Sequence, residues 1–233
     1  MIKKAMFKIA AIALLAGSFF TLLQSNASAL LFTDVVGKGA ITSFKAMLEA
    51  LPDKAISNES GKMWVLTTPD KSAFLAWSVD KKAVLQSDIM FWFSANPFLK
   101  AGLDINKFPK ELLSGDKIVI GAKIKQTVVS AKESITPLSS FEQIVESDRD
   151  RIGYHSEMDH YGLNFSGGNV FEWAKNIGKN DKDIVFVLNP QIFIEAGVNP
   201  SKVEGWIFGQ VTVADSKGKM VKVDKFLKPF NLK

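Results

Sequence analysis

Arginine, histidine and tyrosine each occur only twice in the 233-residue chain, and all six residues fall between Arg149 and Tyr161. The run reads Arg149-Asp150-Arg151-Ile152-Gly153-Tyr154-His155-Ser156-Glu157-Met158-Asp159-His160-Tyr161. Everywhere else the cations are Lys and the aromatics are Phe or Trp, so imidazole, phenol and guanidinium chemistry is confined to one segment. Arg149, Arg151, Tyr154, His155, Glu157, Asp159, His160 and Tyr161 are therefore the candidate residues for binding a ligand or partner.

Imidazole with carboxylate suits zinc or another divalent first-row ion, and His155, Asp159 and His160 are the candidate metal ligands. Their spacing is awkward. On a helix His155 and His160 stand about 140° apart, and on a strand His155, Glu157 and Asp159 share one face while His160 takes the other. A metal would need a loop or a further ligand such as Glu172. A carboxylate beside a His also suits acid-base work or pH sensing, with Asp159 as that carboxylate. The structural alternative is a hydrogen-bonded corner, with buried Tyr rings, Arg149 and Arg151 paired to Asp148, Asp150 or Glu146, and Gly162 permitting a turn.

Other chemistries lack their residues. The chain has no Cys, hence no thiol nucleophile, no disulfide and no lipid-modified cysteine. No Ser sits in a Gly-x-Ser-x-Gly elbow. The Gly167-Gly168 pair lacks the spacing of a phosphate loop and reads as a turn. No cofactor motif is present, which leaves a divalent metal as the one inorganic ligand to consider.

The N-terminus reads as a secretory leader. Lys3, Lys4 and Lys8 precede an apolar stretch from Ile9 to Leu23, and small residues follow up to Ala29, where cleavage is expected. The apolar run is shorter than the roughly 20 residues that span a bilayer, so no transmembrane segment is expected after cleavage. Loss of residues 1 to 29 removes three Lys and leaves 26 basic against 24 acidic residues. That near balance removes the compositional case for a nucleic-acid partner. Periplasm, cell wall and extracellular medium all remain open as destinations.

The segments that must position the candidate site repeat. The chain aligns with itself at a shift of about 96 residues, pairing Thr42 to Glu49 with Ser139 to Glu146, Trp77 with Trp173, and Asp88 to Phe93 with Asp183 to Leu188. Phe98 to Asp104 then pairs with Phe193 to Asn199, in each copy a short helix opened by an Asn-Pro pair and closed by Gly. Val119-Ile120-Gly121 pairs with Ile207-Phe208-Gly209 as a closing strand. The predicted fold class is α+β: two tandem duplicated helix-strand-strand-strand-helix-strand units in a pseudo-symmetric body, with a C-terminal hairpin. Unit 1 spans residues 30–125 with its core pattern from 38, a linker spans 126–136, and unit 2 spans 137–233. In the hairpin Val211 to Val213 faces Met220 to Val223, and Lys225 to Lys233 reads as a tail. Both helices are read as starting at the hydroxyl residues Thr42 and Ser139, and Val170 to Ile177 fits strand or helix, strand being favoured by its match to the first unit.

In this alignment the 154–161 segment falls opposite residues 57–65, which hold no His, Tyr or Arg. The reading that follows is an exported, non-enzymatic protein that binds a partner protein or small ligand through segment 149–161 of the second unit. A metal-dependent, zinc-type hydrolase using His155, Asp159 and His160 is the alternative, and a structural envelope component a third. The binding reading expects His155→Ala/His160→Ala to abolish binding without lowering the melting temperature.

Overall fold

Aromatic residues matched across the two halves meet in space. In the computed structural model, which describes residues 12–13, 26–51, 56–57, 63–68, 71–78, 88–122, 136–155, 158–178, 182–214 and 219–230, Phe44 stacks on Phe141 at 3.6 Å between ring centroids and 5° between planes. Trp77 and Trp173 approach this pair edge-on, at 5.4 and 5.6 Å from Phe44. A second match, Phe98 and Phe193, lies 4.6 Å apart. All six rings are fully buried.

The described residues form four helices and thirteen strands, a mixed α+β fold. The first part comprises α1 (Asn26–Ala50), β2 (Ile56–Ser57), β3 (Met63–Thr67), β4 (Ala73–Ser78), β5 (Ile89–Ser94), α2 (Asn96–Lys100), β6 (Leu113–Ser114) and β7 (Lys117–Ala122). The second comprises α3 (Pro137–Ser147), β8 (Ile152–His155), β9 (His160–Asn164), β10 (Val170–Ala174), β11 (Ile184–Leu188), α4 (Gln191–Glu195), β12 (Ile207–Ala214) and β13 (Met220–Phe230). One sheet runs β2-β3-β4-β5-β7-β6 and the other β8-β9-β10-β11-β13-β12, all antiparallel. The two-residue strand β1 (Ile12–Ala13) adds to the second sheet in parallel, beside β12.

Alternation along the strands explains how the two sheets share a core. Phe91, Phe93 and Leu75 of the first sheet, and Phe171, Trp173 and Phe186 of the second, turn inward into one apolar cluster. Phe91 meets Phe186 at 5.3 Å and Phe165 at 5.0 Å. Helices α1 and α3 reach this core through Phe44 and Phe141, while α2 and α4 reach it through Phe98 and Phe193. Where α2 and α4 end, Gly102 and Gly197 adopt φ of 104° and 95°, and a Cβ on either would press on the other's carbonyl oxygen. The amide of Asp104 donates to Ala196 O and that of Asn199 to Ala101 O, each at 2.8 Å, so the two chain segments after the helices clasp each other.

Several sequence expectations are corrected. Helix α1 does not start at Thr42; it begins at Asn26, and the Thr42 hydroxyl donates to Lys38 O within the helix. Helix α3 is capped by Thr136, whose hydroxyl accepts from Ser139 N, in a reciprocal box that the Ser139 side chain completes. Each part contains a strand pair after its short helix, and β12, holding Ile207 to Gly209, occupies the sheet position of β6 rather than that of β7. Val119 to Gly121 therefore corresponds by position to β13. Lys225 to Phe230 is no tail, since it continues β13 and pairs with β11. Val170–Ala174 is strand, in keeping with the favoured reading. The proposed leader lies largely outside the described residues, and its cleavage point after Ala29 falls within the first turn of α1. No described helix is long and apolar enough to cross a membrane.

If the two sheets form one cooperative body, Phe44→Ala should lower stability by about 3–5 kcal/mol, the usual cost of emptying a buried Phe site. Thermal unfolding followed by near-UV and far-UV circular dichroism should still show one coincident transition; two transitions would mean that the halves fold separately.

Candidate functional site

The segment rich in special residues is a hairpin. β8 and β9 pair so that Gly153 faces Gly162, Tyr154 faces Tyr161 and His155 faces His160. β10 lies on the other side of β9, placing Trp173 beside Tyr161 and Glu172 beside Gly162. Period-2 alternation then sorts the chemistry. Tyr154 and Tyr161 stand on the inner side, 5.2 Å apart, with Tyr161 against Trp173 at 6.1 Å. His155, His160 and Glu172 take the outer side.

There they form a buried polar set. His155 is 1% exposed, His160 2% and Glu172 0%. His155 Nδ1 lies 3.0 Å from Glu172 Oε1, and His160 Nδ1 lies 3.7 Å from Oε2. These are ion-pair distances, and neither N–H is aligned well enough for a straight hydrogen bond. Burial alone would raise the carboxyl pKa of Glu172, but the two imidazoles outweigh it and hold the group below its ordinary value of 4.5. Glycine makes the room, because a Cβ at Gly162 would come within 3.1 Å of His155 Cε1 and 3.2 Å of Val170 Cγ1. Gly162 is thus a strand position over which an imidazole lies, not the turn residue expected.

The other candidates go elsewhere. Asp159 sits in the turn before β9 at φ 54° and accepts a short hydrogen bond from the Tyr154 hydroxyl. Asn176 Nδ2 donates to it at 3.2 Å, and Lys175 Nζ lies 3.7 Å away and 5.3 Å above the Tyr154 ring. The Tyr154 bond holds the Asp159 carboxyl low against the opposing effect of burial, and Lys175 and Asn176 add lesser contributions in the same direction. The same bond raises the Tyr154 phenol, and burial raises that of Tyr161. Asp159 therefore faces the tyrosine system, while the carboxylate that addresses both imidazoles is Glu172. Sequence spacing named Glu172 only as a reserve ligand.

Arg151 closes the near end of the hairpin. Its Nε pairs with Asp148, its guanidinium donates to Asn164 O at 3.2 Å, and Asn164 Nδ2 donates back to Arg151 O at 3.0 Å. Arg149 is exposed at the mouth of a cleft between α1 and α3, where Val36, Ile41, Val145 and Ile152 supply apolar walls and Lys38 and Glu146 supply charge. Glu157 lies outside the described residues. Among the described residues, no three His, Asp or Glu side chains are arranged to hold a metal ion.

Among the described residues, the corresponding places in the first sheet are apolar. With Trp77 set on Trp173, the register puts Ala76 at the position of Glu172, Val65 at that of Gly162 and Met63 at that of His160. Among the described residues, the polar set belongs to the outer side of the second sheet.

The low pKa of Glu172 fixes a pH dependence. A carboxyl held below its unfolded value stabilises the fold fully above that value, and the stabilisation is lost as pH falls through the lower folded value. Glu172→Gln should therefore cost about 3 kcal/mol near neutrality, as for a buried pair losing one partner. The gap between wild type and variant should close below about pH 4 in denaturant titrations; a gap constant with pH would show that Glu172 is not ionised. His155→Ala/His160→Ala, which leaves Glu172 buried alone, should lower the melting temperature, contrary to the expectation from sequence.

In comparisons with protein-family models, with curated proteins and with solved structures, the chain finds no match.

Proposed function

We propose that this is an exported binding protein, built by tandem duplication, whose contact surface is the cleft between the two units, where Arg149 at the start of segment 149–161 meets α1 of the first. The reading rests on one observation about segment 149–161. Its tyrosine, histidine and Arg151 side chains are engaged inside the fold, whereas Arg149 stands exposed beside the apolar cleft between α1 and α3. With two cations, Lys38 and Arg149, against one acid, Glu146, beside walls made by Val36, Ile41, Val145 and Ile152, the cleft suits a ligand or partner segment that joins an apolar group to an anionic one. The duplication is supported by the shared strand order and by the meeting of Phe44 with Phe141 and of Phe98 with Phe193. Export is supported by the basic, apolar and small-residue regions ahead of Ala29.

The second reading, a metal-dependent hydrolase, draws on the two imidazoles that converge on Glu172. Its original ligand set would require Asp159 to leave Tyr154. Elemental analysis of tag-free residues 30–233, beside the His155→Ala/His160→Ala variant, decides it: near-stoichiometric metal present only in the parent protein would put the hydrolase first.

For the binding reading, hexanoate serves as a probe that combines an alkyl chain with a carboxylate. Titrated into labelled protein, it should shift the NMR signals of Val145, Ile152 and Arg149, and Arg149→Glu should weaken binding about tenfold, as expected when an ionic contact becomes repulsive. Shifts confined to other surfaces, or an unchanged affinity in Arg149→Glu, would contradict the proposal.

A further inference from the structure

Among the described residues, five large apolar side chains are exposed: Val35, Leu99, Ile105, Ile194 and Ile207. Three of them, Leu99, Ile105 and Ile194, belong to one feature, the clasp formed by α2, α4 and the segments that follow them. Single exposed aliphatic residues need no explanation. Three on one small feature do.

The clasp is reciprocal. Asp104 N donates to Ala196 O and Asn199 N to Ala101 O, Gly102 and Gly197 each abut the other's carbonyl oxygen, and Phe98 meets Phe193 at 4.6 Å. Such contacts set the two segments about a local two-fold axis between Gly102 and Gly197. Phe98 and Phe193 turn inward and are fully buried, whereas the next residues, Leu99 and Ile194, are 41% and 43% exposed. One residue further the two segments match in position but not in sign. Lys100 ends α2 and Glu195 ends α4, both exposed.

That difference of sign selects what can cover the face. A face with local two-fold symmetry can meet its own copy in two ways, with α2 on α2 or with α2 on α4. The first sets Lys100 against Lys100 and Glu195 against Glu195. The second sets Lys100 of each chain against Glu195 of the other, with Leu99 packed on Ile194, so charge complementarity favours it. Existing contacts of the two charges do not compete strongly. Lys100 lies 3.8 Å from Glu204 in an exposed pair, and Glu195 accepts a hydrogen bond from Gln191 within its own helix; exposed contacts of this kind are worth little.

We propose that a second copy of this chain docks on the α2–α4 clasp, in an isologous dimer that pairs α2 of each chain with α4 of the other. None of these residues lines the α1–α3 cleft, so the dimer stands or falls separately from the binding proposal above. A patch this small belongs with weak interfaces, and a dissociation constant on the order of 10 μM is expected.

Sedimentation velocity of the protein purified from expression of the full chain, between about 1 and 300 μM, should show monomer giving way to dimer. Lys100→Glu and Glu195→Lys should each weaken the dimer at least about tenfold, because each sets like charges against one another across the interface. Lys100→Glu/Glu195→Lys restores opposite charges and should return the affinity to within about threefold of the parent. Leu99→Asp/Ile194→Asp should stay monomeric throughout. All of these changes are at exposed positions, and far-UV circular dichroism should match the parent. A parent chain that remains monomeric over this range, or a double charge exchange that dimerises no better than the single ones, would overturn the proposal.

Discussion

Four rings at the centre of the molecule set the terms for the rest. Phe44 and Phe141 stack face to face, and Trp77 and Trp173 close on them from the two sheets. Large aromatic surfaces carry much of a core's apolar burial, and edge-to-face contacts add a geometric preference. Here they tie each helix to the opposite sheet as well as to its own, since Phe44 of α1 touches Trp173 and Phe141 of α3 touches Trp77. The chain has no cysteine, so no disulfide adds to this shared packing. One close approach depends on a missing side chain: a Cβ at Gly39 in α1 would overlap the Tyr161 hydroxyl.

That packing fixes which side of the second sheet each polar residue takes. Once Trp173 points to the core, Tyr161 and Tyr154 must follow it across the ladder, and Glu172, His160 and His155 must point away. A one-residue slip would put a carboxylate and two imidazoles into the aromatic centre. The polar set also answers for its own burial, because a lone Glu at this depth would be neutral or unfolding, and the two imidazoles keep it ionised. At the described positions the opposing half meets the same geometric constraint with apolar Ala76, Val65 and Met63.

Much of this was legible in the sequence. Trp77 and Trp173, and the apolar runs at Ile89 and Ile184, stand out because buried strands have little choice of residue. The α+β class followed from these runs and the short helices between them. What misled was local ambiguity. Thr42 resembles a cap, but the helix begins upstream in residues that also read as leader. Val119 to Gly121 and Ile207 to Gly209 share an apolar pattern that neighbouring hairpin strands both satisfy, so pattern alone could not choose between them. Lys225, Lys228 and Pro229 disguised the end of the longest strand, whose Lys225 is in fact buried and donates to Gly168 O at 2.8 Å. The concentration of His, Tyr and Arg located the hairpin, but the key carboxylate lay on the next strand, and only the ladder register brings Glu172 beside Gly162 and under both imidazoles.

The chain has two histidines, so selective ¹⁵N labelling of His reports the polar set through two imidazole rings and nothing else. The account centres on an ionised Glu172 facing both Nδ1 atoms in a buried site. It predicts that both rings carry a proton on Nδ1, that these protons exchange slowly with water, and that Glu172→Gln shifts both ring spectra. Rings with bare Nδ1 atoms, fast exchange, or spectra indifferent to Glu172→Gln would contradict it.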